Sequence, residues 1–474
     1  MDKAAAIVAH LRNVVGAAGL LTDPADTAPY ATDWRGLYHG RTPAVVRPKT
    51  TEEVAEVVRR CAACGIGMVP QGGNTSMVGG AVPAEAGDQV VISLARMNRV
   101  RAVDPVDLSL TLEAGVTLKA AQDAAAAAGC LLPLSIASEG TAQIGGVLAT
   151  NAGGNNTVRY GNARDLVLGI EAVLPDGEVL HALRRLRKDN TGYCLRQLLV
   201  GSEGTLGIIT AAVLKLAPRP AEREVALCAV PSPAQALALF ARVQREDPAA
   251  LVAFEYMSGT GMGFVLRHIP GAALPFAPAP HYALIELATP RRNAGLRAAL
   301  EEGLAAALEE GEATDAVIAS SEAQRAALWR LREEHAEAQR LEGASVKNDV
   351  SVPVSRVPEL IERGAAACAA LVPGVRVVPF GHLGDGNIHF NLEQPEGADP
   401  AAFLAQSHAI MDTVAEVVRD LDGSFSAEHG VGRLKPYLMA SWRGGAELAT
   451  MRRIKHALDP HGLMNPGKVL PSRD

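Results

Sequence analysis

The sequence predicts an α+β protein of two domains, on three observations. From about residue 41 to 217, short apolar strands alternate with one or two helices and unusually dense glycine. From 218 to 440, strand candidates are each followed by a long Ala/Glu/Arg helix. Between them lies "LAPRPAERE", where two prolines break the last strand.

In chain order, residues 1–40 form an N-terminal helical segment. In the first domain the strands are "AVVRP", "GMVPQ", "DQVVISL", "SLTLEAG", "VLGIEAVLPDGEVL" and "LGIITAAVLKLAP", and "TEEVAEVVRRCAACG" is a helix. The CxxC at its end, Cys61 and Cys64, has no second pair to complete a tetrahedral site, so it reads as packing. The six scattered cysteines suit reduced thiols. In the second domain "REVALCAV", "LVAFEYM" and "YALIELA" are strands, expected to carry helices on one face of an antiparallel sheet. Residues 441–474 are a short helix and "DPHGLMNPGKVLP".

Composition excludes some functions. The net charge is −7, and the one basic block, Arg184, Arg185, Arg187 and Lys188, reads as a solvated loop, so nucleic acid is not expected as a partner. No apolar run approaches a membrane span, and "MDKAAAIVAHLRNVVGAAGLL" reads as neither signal nor transit peptide. A cytoplasmic location is expected, with a homodimer as an open option.

The glycine loops ask for a ligand. "PQGGNTSMVGG" offers Pro70, Gln71, Gly72, Gly73, Asn74, Thr75, Gly79 and Gly80, with successive backbone amides unshielded by Cβ atoms. "SEGTAQIGGVLATNAGG" adds Gly145, Gly146, Thr150, Asn151 and Gly153, and "VGSEGTLGIIT" adds Glu203 and Gly204. Three such loops point to one large ligand with separated polar parts, for which a dinucleotide fits better than a lone phosphate. No GxGxxG follows a strand, "GLMNPGK" lacks the Ser/Thr and helix of a P-loop, and no GxSxG surrounds Ser202.

Two further stretches carry chemistry. In "GHLGDGNIHFN", His389 and Asn391 share one strand face and His382 sits across a glycine turn. In "SFSAEHGVGRLK", Glu428 adjoins His429. His382, His389 and Glu428 make a ligand set for a divalent metal, zinc first, with manganese, cobalt or iron as alternatives; His429 is the spare base. Asp385 is an alternative ligand, though in "GDG" it suits capping its own turn.

Together "PQGGNTSMVGG", "IGGVLATNAGG", "RYGNARDLVLGIEAVLPDGEVL", "DNTGY", "GSEGTLGIIT", "GHLGDGNIHFN", "SAEHGVG" and "NPGK" resemble the FAD-dependent D-2-hydroxyacid dehydrogenases of the vanillyl-alcohol oxidase superfamily, over about residues 30 to 470. The resemblance implies a two-subdomain FAD-binding domain over 41–217, a ferredoxin-like substrate domain over 218–440, and a C-terminal segment returning to the flavin. It implies flavin contacts from the three loops, including Ile209, and from Asn465; substrate contacts from Arg332, Lys347, Asn391, His382 and His389; and His429 as base. With no histidine in the first loop, FAD is expected to be non-covalent. The implied reaction oxidises a D-2-hydroxyacid, first D-2-hydroxyglutarate, passing electrons to an electron-transfer flavoprotein or quinone. D-lactate, D-malate and glycolate are alternative substrates, and a metal-dependent hydrolase is the alternative class. Ala336, where close relatives often have a hydroxyl, tells against a five-carbon diacid.

Overall fold

The structure, a computed structural model, describes residues 3–472. The chain divides into two compact units: the first holds residues up to Gly153, Asn162–Arg219 and Glu428 onward, the second Gly154–Gly161 and Pro220–Ala427. The break falls at 219 against 217 from the sequence. The N-terminal helical segment belongs to the first unit, and the chain returns to that unit at Glu428 rather than 441.

The first unit has two main sheets. One orders its strands Leu20–Leu21, Val45–Val46, Gln89–Ser93 and Gly67–Gln71, the last three parallel. The other is antiparallel: Val100–Asp104, Ser109–Glu113, Ile208–Lys215, Val167–Val173 and Val179–Ala182. Helix Thr51–Cys64 starts where the Thr50 side chain accepts the Glu53 N–H and ends at Gly65, whose φ of 64° suits a left-handed cap. Its apolar face places Cys61 in the core beside Val54, Val57 and Val58. Burial, with Cys64 beside it, pushes the Cys61 thiol up to about 12, so it stays protonated and unsuited to metal or redox work.

The second unit is built on an eight-stranded sheet ordered Asp315–Ile318, Glu222–Val230, His281–Thr289, Leu251–Ser258, Arg376–Gly381, Asn387–Glu393 and Ser345–Val346, with Asp349–Ser351 also paired to Asn387–Glu393. Every pairing is antiparallel. Helices cover both of its faces, not the one expected. On one face Gly364, in helix Val357–Leu371, lies so close to the Phe390 ring that a Cβ would stand 2.7 Å from it. On the other, the ring of His335 in helix His335–Glu342 lies tilted, 5.0 Å from that of Phe380, which is paired with His389. The reason is visible in the strands: Leu251–Ser258 is buried at every position and His281–Thr289 at all but the first. Strands buried so continuously need cover on both sides.

Candidate functional site

Within the first unit the three glycine loops converge. Gly73 lies against the Thr141 carbonyl, where a Cβ would stand 2.0 Å away, so the first loop closes directly on the second. The third joins them through Gly201 N–H to Leu148 O and Glu203 N–H to Ala149 O. Asn465 Nδ2 then donates to Gly80 O (3.0 Å) and Glu203 O (2.7 Å), tying the first loop, the third and the C-terminal segment together. Eight non-glycine residues have positive φ among the described residues, and four of them are Asn74, Asn151, Glu203 and Asn465. Backbone strain of this kind collects at ligand sites.

Several side chains in these loops serve the loops themselves. Asn74 Nδ2 donates to Pro29 O and Thr32 O, Gln71 Nε2 to Tyr30 O and Ala81 O, and Asn151 Oδ1 accepts the Arg164 N–H. Thr150 Oγ1 donates to Gly146 O, Gly204 abuts Pro70, and Ile209 is buried in its strand. The ligand-facing part is backbone. A Cβ on Gly146 would meet only Gly72 Cα, at 4.0 Å, so open space adjoins these glycines. That is the cradle a flavin dinucleotide needs.

Glu203 has a structural task that its sequence context hides. Its carboxylate accepts the backbone N–H groups of Val431 (2.7 Å) and Gly432 (2.8 Å). Burial pushes its pKa up, while those two N–H groups and Lys435 pull it down. The glutamate thereby fixes the turn that follows Glu428 and His429 in the chain. Gly430 has φ 82° and would place a Cβ 2.8 Å from that carboxylate. Gly430→Ala is expected to cost about 1–3 kcal/mol, read as a lower Tm, and to reduce flavin content.

Within the second unit, a buried polar chain links the sequence-predicted residues. His382 is 4% exposed, and its Nδ1 lies 2.8 Å from Glu255 Oε1. Arg332, 7% exposed, donates from Nε to Glu255 Oε2 at 2.6 Å, and its guanidinium lies 5.0 Å from the Phe380 ring centre. Burial alone would raise the Glu255 carboxyl, but His382 and Arg332, both hydrogen-bonded to it, hold it at about 2. An ionised Glu255 keeps the proton of neutral His382 on Nδ1 and turns the Nε2 lone pair outward, as metal-ligating histidines require. The His382 and His389 rings meet edge to face, 5.6 Å apart. His335 is excluded as a base, since burial and Arg332 lower it to about 3.

His389 stands opposite Asp349, its Nδ1 3.9 Å from Asp349 Oδ1. Asp349, which the sequence did not single out, is 2% exposed and accepts from Asn387 Nδ2 (3.0 Å) and the Ala427 N–H (3.1 Å). Glu428 and His429 are the next two residues of the chain. Asn391 and Lys347 both donate to Gln339 Oε1, at 2.9 and 3.3 Å. Two imidazoles and a carboxylate in one cluster form a donor set that suits a divalent ion of zinc, manganese, cobalt or iron type.

A groove of about 880 Å³ lined by Val106, Asp107, Arg185 and Arg187 lies on the first unit, and no glycine-loop residue lines it. Arg185 there pairs with Asp104 and Asp107, so the basic block is locally neutralised.

Comparison with known proteins places this geometry. Residues 219–469 match the family model "FAD linked oxidases, C-terminal domain", and residues 42–183 match "FAD binding domain". The chain belongs to the FAD-linked oxidases. It is an FAD-dependent oxidoreductase of α+β, two-domain architecture. It is 40% identical to a D-2-hydroxyglutarate dehydrogenase of Xanthomonas citri pv. viticola, over 98% of this chain and 97% of that protein. It is 39% identical to the mitochondrial D-2-hydroxyglutarate dehydrogenase of Bos taurus, over 96% and 81%. Among solved structures, p-cresol methylhydroxylase with substrate bound superposes with a TM-score of 0.76 at 15% identity, over 98% of this chain and 96% of that one, a likeness of fold. No helix among the described residues is long and apolar enough to cross a membrane.

Proposed function

We propose that this FAD-linked oxidase oxidises a D-2-hydroxyacid, first D-2-hydroxyglutarate to 2-oxoglutarate, with FAD held non-covalently in the glycine loops. The observation that carries the reading is the Arg332–Glu255–His382 chain beside His389 and Asp349, which sets a buried cation next to metal-ligand donors. Near-full-length relatives named as D-2-hydroxyglutarate dehydrogenases support the substrate.

Oxidation removes the hydroxyl proton and the Cα hydride. Bound FAD supplies the hydride acceptor. An alcohol, comparable to water at about 15.7, gives its proton to a histidine of ordinary pKa about 6.5 only at a cost of about 12 kcal/mol. His382, His389 and Glu428 would hold a divalent ion, whose Lewis acidity would lower this cost. His429 accepts the proton. Arg332 binds the substrate carboxylate, oriented by Glu255; Lys347 and Asn391, both fastened to Gln339, supply a compact charge and a hydrogen bond.

Lys347→Ala is expected to raise KM at least tenfold with a smaller change in kcat; an equal rise for one- and two-carboxylate substrates would remove Lys347 from reading the distal carboxylate. The electron acceptor in this proposal is an electron-transfer flavoprotein or quinone, and the location is the cytoplasm. The test is a panel of D-2-hydroxyglutarate, D-lactate, D-malate and glycolate with an artificial acceptor. The highest kcat/KM is expected for D-2-hydroxyglutarate; a preference for D-lactate would keep the chemistry and replace the substrate, as Ala336 would favour.

A further inference from the structure

The motif "NPGK" closes on Lys468, a cation outside the proposed reaction. Lys468 is 4% exposed, and its side chain makes no hydrogen bond or ion pair among the described residues. The charge that bears on it is another cation, Arg433. Arg433 donates to Pro83 O (3.3 Å) and lies 4.6 Å over the Tyr38 ring. The nearby carboxylate of the third glycine loop, Glu203, is occupied by the Val431 and Gly432 amides. Burying a cation without a counter-charge is unfavourable. Burial and Arg433 accordingly lower Lys468 to about 7.

The backbone fixes where this amine stands. Asn465, Gly467 and Val469 have φ of 45°, 77° and 66°, and a positive φ is an outlier for a β-branched residue. The turn is pinned all the same: Val469 N–H donates to Gly432 O at 3.0 Å, and a Cβ on Gly432 would stand 2.3 Å from the Val78 carbonyl oxygen. Lys468 is thereby fastened beside the far end of the first glycine loop. Asn465, three residues before it, donates through Nδ2 to Gly80 O and Glu203 O, which leaves its Oδ1 a buried acceptor without a partner among the described residues. One strained turn thus carries an unmet donor and an unmet acceptor, the mark of a ligand edge.

That edge must offer an N–H beside a carbonyl and must favour positive charge. The pyrimidine end of the isoalloxazine has both, since its N3–H adjoins the C2 carbonyl. Hydride transfer breaks the substrate Cα–H bond, forms N5–H and adds both electrons of the broken bond to the ring. The ring gains one negative charge, spread over N1 and the C2 carbonyl.

We infer that Lys468 is a cofactor-facing cation that stabilises the reduced flavin, with Asn465 Oδ1 accepting the ring N–H and holding that edge towards the amine. The inference rests on FAD lying in the glycine loops and on no particular substrate. A cation so placed also raises the reduction potential of the flavin.

Sulfite tests this without a hydroxyacid. It adds to N5 of the oxidised ring and, like hydride, leaves an extra negative charge on N1 and the C2 carbonyl. The experiment titrates FAD-loaded wild type, Lys468→Met and Lys468→Arg with sulfite, follows the loss of flavin absorbance, and measures the two-electron potential of each. Wild type is expected to bleach. Lys468→Met should bind sulfite at least about tenfold more weakly, with a potential lower by about 30 mV for each tenfold of stabilisation lost. Lys468→Arg, which keeps the charge, should stay close to wild type. A Lys468→Met enzyme that holds FAD with unchanged sulfite affinity and potential would overturn the inference. So would a wild type that sulfite does not bleach, a result that needs no variant to fold. Either result leaves the hydroxyacid reaction intact, because a wrong substrate shows in the substrate panel and not in the sulfite titration.

Discussion

His429→Asn is expected to keep its flavin spectrum and its metal and to lose turnover by about 10²–10⁴-fold, the range that removal of a positioned general base produces. The residue follows Glu428, and its turn is held by Glu203 through the Val431 and Gly432 amides, so a side chain of similar polarity leaves the backbone supported. The measurement is single-turnover flavin reduction with metal content determined on the same sample. Near-normal reduction would take His429 out of the mechanism.

The second large effect falls on metal binding. Glu255→Gln is expected to weaken divalent-ion affinity by about 10–100-fold, because the carboxylate that fixes the His382 ring and tautomer is gone. It also leaves Arg332 buried beside a neutral amide, and removing one partner of a buried ion pair costs about 3–5 kcal/mol. His382→Ala should abolish tight binding while sparing the Arg332–Glu255 pair. Metal analysis after dialysis, alongside thermal melts, separates the two: the first variant loses stability and affinity, the second chiefly affinity. Full metal retention by His382→Ala would show that the ion is held without it.

These residues differ in how far the sequence alone revealed them. The glycine loops were legible because repeated glycine beside Asn and Thr has few other uses. Histidines in glycine-flanked turns stood out for the same reason. Glu255 and Asp349 did not. Glu255 sits inside "LVAFEYM", which reads as an ordinary buried strand, and its meaning depends on that strand lying next to Arg376–Gly381, more than a hundred residues away. Asp349 matters because the register sets it opposite His389. Register between distant strands is written in no local pattern. Glu203 was found as a loop residue for its flanking glycines, yet its bonds to Val431 and Gly432 show a bracing task that no motif states. The helices on both faces of the second sheet could have been read from the near-continuous apolar runs, which fit a doubly covered sheet better than a half-exposed one.

The most direct test of the central claim is an anaerobic absorbance titration of the purified protein with D-2-hydroxyglutarate, run before and after metal removal by chelator. The account predicts a flavin band that bleaches with the hydroxyacid, persists without bleaching once the metal is gone, and bleaches again when a divalent ion is restored. A protein that takes up FAD yet is bleached by no 2-hydroxyacid, with or without metal, would contradict it.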